Sequence, residues 1–264
     1  MNRFLKLSLW VGFAFLYLPI IVLMVFSFNA SRRGNVWSGF STHWYFELVK
    51  DEQILNAAWI SLKIGVYSAT GATILGVMAS LALVRFGRFK GRTLFSGLVS
   101  APLVMPEVIT GISLLLLFIS AEQLLGWPAE RGILTITLAH ITFCTAFAIV
   151  VIQPRLAGMD QSMEEASRDL GAGVVTTFFL VTLPLIAPAL VASWLLAFIL
   201  SFDDLVIASF TAGPGSTTLP MLIFSKVKIA VSPDVNALAT LIIVGVGLML
   251  AAWYFATKYL GRDS

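Results

Sequence analysis

Apolar stretches of about 20 residues or more recur along this chain, at about 8–28, 56–84, 94–119, 132–152, 178–201 and 236–258. Each is long enough to cross roughly 30 Å of hydrocarbon as a helix rising about 1.5 Å per residue. Lipid offers no water to backbone N–H and C=O groups, so a spanning segment must be a helix or belong to a closed barrel. Barrel strands alternate apolar and polar residues over about ten positions, and these stretches show no such alternation. The expected fold class is therefore all-α integral membrane, with six transmembrane helices in one domain over residues 1–264. Composition agrees. The chain is 58% hydrophobic and 12% charged, against roughly 45–50% and 25% in soluble domains.

Arg3 and Lys6 precede the first apolar run, as in a secretory signal, but the run from about Leu7 to Phe28 exceeds the roughly 7–15 residues of a signal h-region. A retained first helix is expected. Lys and Arg then set the orientation. With the N-terminus inside, Arg3, Lys6, Arg85, Arg88, Lys90, Arg92, Arg155, Arg168, Lys258 and Arg262 are cytoplasmic, and only Arg32, Arg33, Lys50, Arg131, Lys226 and Lys228 are outside. The short basic loop RFGRFKGR, residues 85–92, is the strongest element of this bias. Both termini are expected in the cytoplasm.

Several function classes drop out. Cys144 is the single cysteine, which removes an intrachain disulfide and a thiolate metal site. The net charge of +3 is spread over the loops, with no basic patch for nucleic acid. There is no phosphate-binding glycine loop ending in Lys-Ser/Thr, no His-Glu-x-x-His and no Gly-x-Ser-x-Gly. No catalytic residue, metal or cofactor is expected in this chain.

The loop between the fourth and fifth spans, about 153–177, is unusually polar. Ser162 followed by Glu165 has the spacing of a capping box, and Gly171 suits a left-handed helix end. Met159, Met163, Ala166 and Leu170 would form one apolar face, surrounded by Glu164, Glu165, Arg168 and Asp169. A helix of two turns is marginal alone and needs a partner surface. Lipid headgroups and a protein groove both remain open, with three acids against Arg168 favouring the groove over an anionic leaflet.

Glu165-Ala166, Gly171 and Val181-Thr182-Leu183-Pro184 follow the spacing of the EAA loop of binding-protein-dependent ABC importer permeases, which the sequence resembles. Ser167 replaces the third Ala of that pattern and Val181 its Ile. The stretches APLVMPEVITGISLLLLF (101–118), LAHITFCTAF (138–147) and LSFDDLVIASFTAGPGSTTLPM (200–221) resemble the spermidine/putrescine branch, most closely its putrescine-type second permease subunit. The resemblance implies a type I ABC importer permease fold in a bacterial inner membrane. It implies a second homologous permease subunit beside this chain in the lipid bilayer, two cytosolic ATPase subunits that hold the ATP and Mg, and a periplasmic polyamine-binding protein. Met163, Glu164, Glu165, Ala166, Asp169, Leu170 and Gly171 would then couple this chain to the ATPase. Ferric ion, thiamine, molybdate or an amino acid are alternative cargoes of the same architecture, and an ion-coupled secondary transporter is a rival of another class.

Ionisable groups at membrane depth carry a functional expectation of their own, because a charge at the bilayer centre costs about 2.5–3.5 kcal/mol even on the lenient insertion scale. Glu107 follows Pro106 in the third span, where a broken helix is expected. Asp203 and Asp204 end the fifth, before a segment whose Gly213, Pro214 and Gly215 exclude regular helix. A dication has two ammonium ends for carboxylates and an alkyl middle for apolar walls. Glu107, Asp203 and Asp204 offer the charges, and Trp194, Phe202 and Phe210 the walls. The competing reading makes these acids helix caps. Lys63 is expected to snorkel, and His140 to bond a neighbouring helix or to relay protons. Tryptophans 10, 37, 44, 59, 127 and 253 read mostly as interfacial anchors. Gly71, Ala72, Gly76 and Ala79 form a small-residue face for close helix packing, and Gly245 and Gly247 suit the same use.

Overall fold

The computed structural model describes residues 3–31, 36–229 and 233–260, with the side chains of residues 3, 229, 249–254 and 256–260 outside that description. Arg32, Arg33 and Arg262, used above for orientation, lie outside the described residues, as do the side chains of Arg3, Trp253 and Lys258. Among the described residues the regular structure is helical, with one isolated antiparallel bridge between Asn29 and Phe40. In chain order the helices are α1 (Arg3–Phe26), α2 (His43–Lys50), α3 (Glu52–Arg85), α4 (Arg92–Val104), α5 (Glu107–Leu125) and α6 (Ile133–Ala157). There follow α7 (Ser162–Asp169), α8 (Val174–Thr177), a π-helical turn (Phe178–Thr182), α9 (Leu183–Asp203), α10 (Val206–Thr211), α11 (Leu219–Ile229) and α12 (Pro233–Leu260).

Among the described residues five segments are long and apolar enough to cross a membrane: Phe4–Phe26, Glu52–Arg85, Glu107–Leu125, Ile133–Ala157 and Val174–Asp203. Arg92–Val104 and Pro233–Leu248 are shorter apolar helices. The expected third span is thus two helices. Met105 and Pro106 are extended, with ψ of 135° and 136°, because proline removes an amide donor and disfavours helical backbone in the residue before it. Pro102, one turn earlier, stays inside α4. Neighbouring spans run longer than their apolar cores suggest, since polar residues continue the helices beyond the hydrocarbon-like stretch.

The described chain divides into two compact units, residues 1–56 with 222–264 and residues 57–221. In the first, α12 packs against α1 and α2. Asn29 organises the connection after α1: it is fully buried, Nδ2 donates to the Val36 carbonyl, and Oδ1 accepts from the Ser31 and Ser38 amides. Trp44, expected at an interface, is 8% exposed and donates from Nε1 to the Asn29 carbonyl at 2.7 Å. Its indole is consumed in closing a buried polar group. Lys226 lies between Asp51 at 3.2 Å and Asp234 at 3.1 Å.

In the second unit, one core joins Ala69 and Ala72 of α3, Phe118 of α5, Ala139, Phe143 and Cys144 of α6, Ala197 of α9 and Ile207 of α10. The small face of α3 lies against this chain's own α6. A Cβ added at Gly71 would come within 2.7 Å of Ile141, and one at Gly76 within 2.8 Å of the Ala148 Cβ. Gly65 gives the same kind of clearance to the ring of Phe198. Close backbone approach is how helices gain contact where solvent exclusion supplies little drive. Gly245 and Gly247 of α12 have open space at their Cβ positions.

Two outcomes follow from this packing. Gly76→Leu should lower the unfolding free energy of the detergent-extracted chain by about 1–3 kcal/mol through overpacking, whereas Gly245→Leu should leave the thermal midpoint unchanged; equal midpoints would contradict the α3–α6 contact. The Lys226 cluster should be pH-sensitive at both extremes. Burial favours a neutral Asp51, but the Ile54 and Gln53 amides and the Lys226 ammonium outweigh it and hold the carboxyl below 3.8. Burial likewise disfavours charge on Lys226, yet Asp234 and Asp51 hold it above 10.5. The Asp51 contribution is present above its unfolded value and lost as pH falls through the lowered one; that of Lys226 is present below its unfolded value and lost as pH rises through the raised one. A Lys226→Met variant should lose about 1 kcal/mol at neutral pH, and converge with the parent at both extremes in pH-resolved melting.

Candidate functional site

The polar loop after α6 is built around α7. Helix α6 continues past Pro154 to Ala157, and the chain turns before Ser162. The expected capping box does not form. Ser162 is already the first helical residue, Gln161 is the cap, and the Glu164 and Glu165 amides both bond the Gln161 carbonyl. Asp160 fills the capping role from one residue further out, its Oδ1 accepting from the Ser162 amide at 3.0 Å. That bond and the Ser162 hydroxyl hold the Asp160 carboxyl below its ordinary 3.8. At the other end Gly171 adopts φ +86°, and its amide and that of Ala172 bond the Arg168 and Ser167 carbonyls. A left-handed residue closing a helix in this way favours glycine.

Of the residues expected to couple the loop, Met163, Glu165, Ala166, Asp169, Leu170 and Gly171 are exposed. Leu170 is 89% exposed and Met163 52%, so much of the apolar face of α7 is open among the described residues. Glu164 differs. Expected on the open polar side, its side chain is 11% exposed beside Arg85 at the end of α3. Arg85 Nη2 donates to Oε1 at 3.3 Å and the Thr182 hydroxyl donates to the same oxygen at 2.7 Å. Arg85 Nε lies 3.2 Å from Oε2, within ion-pair reach but off the N–H direction. Glu164 therefore ties α7 to α3 and to the π-helical turn. A cleft of about 360 Å3 opens beside this tie, lined by Leu81, Phe86, Val174, Val175, Phe178 and Phe179 among others.

The second polar constellation lies where α9 gives way to α10. Helix α9 ends at Asp203, Asp204 is extended at ψ 128°, and α10 begins at Val206. Asp204 Oδ2 accepts from the Ala208 amide at 2.7 Å and Oδ1 from the Ile207 amide at 3.3 Å, capping α10. His140 of α6 places Nε2 3.1 Å from the same Oδ2 and Nδ1 2.7 Å from the Ser201 hydroxyl. A neutral imidazole satisfies all of this by donating from Nε2 to the carboxylate and accepting the Ser201 proton at Nδ1. Thr135 Oγ1 then donates to the Thr211 carbonyl at 2.7 Å, fastening the far end of α10 to α6. Ser216 accepts from the Gly213 amide in the following turn. Gly213 is obligatory there, since a Cβ would lie 1.9 Å from the Arg131 carbonyl oxygen.

Asp203, one residue before, is exposed. Glu107 is also exposed, as the first residue of α5 after the break. Phe210 of α10 packs on Gly111, one turn along α5 from Glu107. Trp194 stacks on Phe198 at 5.4 Å and Phe198 on Phe202 at 5.6 Å, an aromatic row along α9. Trp194 also donates to Thr70 on α3. Lys63 Nζ lies 5.0 Å over the Trp59 ring, a cation–π contact. No group of three or more His, Cys, Asp or Glu suited to a metal occurs among the described residues. The Arg85–Glu164 and His140–Asp204 ties join positions far apart in sequence. Depth in the membrane marked His140, whereas Arg85 stood out only as part of the basic loop and Thr182 only within the EAA-loop spacing, with nothing to pair either with Glu164.

A set of apolar helices with one broken span is the fold of ABC transporter membrane subunits. A bacterial ABC transporter that imports the acidic polysaccharide alginate superposes with TM-score 0.70 at 17% identity, over 96% of this chain and 94% of that one. The MetNI methionine ABC transporter gives 0.60, over 85% of this chain and 99% of that one, also at 17% identity. The chain belongs to the family of binding-protein-dependent transport system inner membrane components, whose model matches residues 72–263. It is 55% identical to the putrescine transport system permease protein PotI of Escherichia coli over 251 residues, 95% of this chain and 89% of that protein. It is 45% identical to the spermidine/putrescine permease protein PotC of the same species, over 95% of this chain and 91% of that one.

The Glu164 anchor has a direct test. Glu164→Ala leaves the Arg85 guanidinium without its carboxylate and should weaken the attachment of α7 by about 3 kcal/mol. Glu164→Gln keeps an acceptor for Thr182 and should lose less. Limited proteolysis in residues 158–173 should then run fastest in the alanine variant; identical rates in all three proteins would mean that Glu164 does not hold the loop.

Proposed function

We propose that this chain is one of two permease subunits in an ATP-driven importer for polyamines, putrescine foremost, in a bacterial inner membrane. The 55% identity to a putrescine permease across 95% of the chain carries the reading. In this reading α4 and α5 together make one interrupted crossing, giving six spans in a single permease domain with both termini in the cytoplasm. The partners are a second homologous permease, two ATPase subunits with their ATP and Mg, and a periplasmic polyamine-binding protein. Hydrolysis belongs to the ATPase subunits.

The α7 loop is the coupling element, through Met163, Glu165, Ala166, Asp169, Leu170 and Gly171, with Glu164 securing it from behind. Its exposed Met163 and Leu170 support this, because apolar side chains on a two-turn helix gain most from a groove that buries them. A displacement of α7 is passed through Glu164 to α3 and to the π-helical turn that leads into α9. Helix α9 ends at the acidic pair, so the push from the ATPase reaches the segment that borders the path. Glu107, Asp203 and Asp204 supply negative charge beside that path, and Trp194, Phe202 and Phe210 its apolar walls. A short alkyl diamine needs both: carboxylates for its ammonium ends and apolar surface for its methylenes.

Uptake of labelled putrescine and spermidine by cells lacking this gene tests the assignment, with complementation by the wild type or by Gly171→Val. The wild type should restore putrescine uptake. At Gly171, φ +86° would strain valine by about 1–3 kcal/mol, so the variant should reach the membrane yet fail to co-purify with the ATPase subunits. Restoration of neither polyamine would remove the cargo assignment, and normal ATPase recovery with Gly171→Val would remove the coupling role.

A further inference from the structure

Asp203 and Asp204 are adjacent, yet they stand in different surroundings. The Asp204 side chain is 6% exposed and that of His140 1%, whereas Asp203 is exposed. Three donors converge on the Asp204 carboxylate: the Ile207 amide on Oδ1, and the Ala208 amide and His140 Nε2 on Oδ2. A carboxylate has about four lone-pair sites, so most of this one is occupied by its own chain. An ammonium ion reaching Asp204 would have to displace the imidazole or strip the α10 amides of their cap. At Asp203 it meets an open carboxylate. Ser201, itself buried, fixes the other nitrogen of the same imidazole and so sets the ring plane.

We propose that His140 is a positioning residue: with Ser201 it reserves Asp204 for the α9–α10 junction, and thereby makes Asp203 the member of the pair that meets the cationic cargo. The inference rests on the polyamine reading for its cargo, but the division between the two carboxylates stands on geometry alone. It also separates two chemistries that an Asp-Asp pair would otherwise share. Asp203 needs charge and tolerates a change of reach, because a mobile cation follows the carboxylate. Asp204 needs a fixed reach, because backbone amides and a packed imidazole do not move to meet it.

Cysteine labelling of the complete importer in cells tests the division without reference to transport. Cys144 is the chain's one cysteine and is fully buried, so the native sequence is a quiet background. Asp203→Cys should react with a small cationic methanethiosulfonate about tenfold faster than Asp204→Cys, since thiol reactivity follows access. Uptake at matched membrane abundance tests the roles. Asp203→Asn should lose about tenfold and Asp203→Glu should recover most of it; Asp204→Glu and His140→Leu should each lose about tenfold, the cost of one charge-assisted hydrogen bond. His140→Gln, whose amide reaches the Nε2 position, should recover most of the His140→Leu loss, which a role in packing alone would not produce. Equal labelling of the two cysteines would overturn the proposal, as would full recovery with Asp204→Glu or no rescue by His140→Gln. Were the wild type to carry no polyamine, the cargo reading would fall, and the labelling rates would still decide between the two carboxylates.

Discussion

The end of one helix beside the start of another, inside a membrane protein, leaves backbone amides that lipid cannot satisfy. The α9–α10 junction meets that constraint with a single carboxylate. Asp204 takes the Ile207 and Ala208 amides, and His140 holds the carboxylate in place from α6. Because Thr135 bonds the other end of α10 to the same helix, the short helix is fixed at both ends to α6. Phe210 can then lie over Gly111 of α5. The contact of α10 with α5 and the different surroundings of Asp203 and Asp204 both depend on α10 being held there.

The polar loop obeys a related rule at the membrane edge. Arg85 ends α3 where a cation suits the helix C-terminus, and Glu164 brings α7 to it with Thr182 as a third member. Nearby, Arg92 donates to the Leu83 and Gly87 carbonyls, relieving the last turn of α3. Arg85 and Glu164 close a helix end while largely covered, and Arg92 does so from an exposed position. The short helix is thereby secured on one side, while Met163 and Leu170 stay exposed on the other.

Small residues set how closely these elements approach. Gly65 clears α3 for Phe198 of α9, and Gly71 and Gly76 clear it for Ile141 and Ala148 of α6. Threonines along α6 and its neighbours return their hydroxyls to carbonyls one turn back, as Thr137, Thr142 and Thr145 do, so polar side chains sit in an apolar setting without a further partner. A buried core with this composition tolerates little change in volume, and a displacement at one helix is transmitted to the next.

The sequence by itself determined the helical class, the approximate positions of the apolar segments and the break before Glu107, because hydropathy over twenty residues and the missing donor of proline are local properties. It also determined the left-handed turn at Gly171 and the spacing that the chain shares with its family. Only the tertiary structure decided which of two adjacent acids is buried, that Glu164 faces inward beside Arg85, and that Trp44 closes on Asn29. Those outcomes turn on contacts between residues separated by 64, 79 and 15 positions respectively, and a hydrogen bond between distant residues leaves no periodicity in the chain. The capping box shows the same limit at short range: Ser162 and Glu165 have the right spacing, but the helix began one residue too early for the serine to cap it, because Asp160 could.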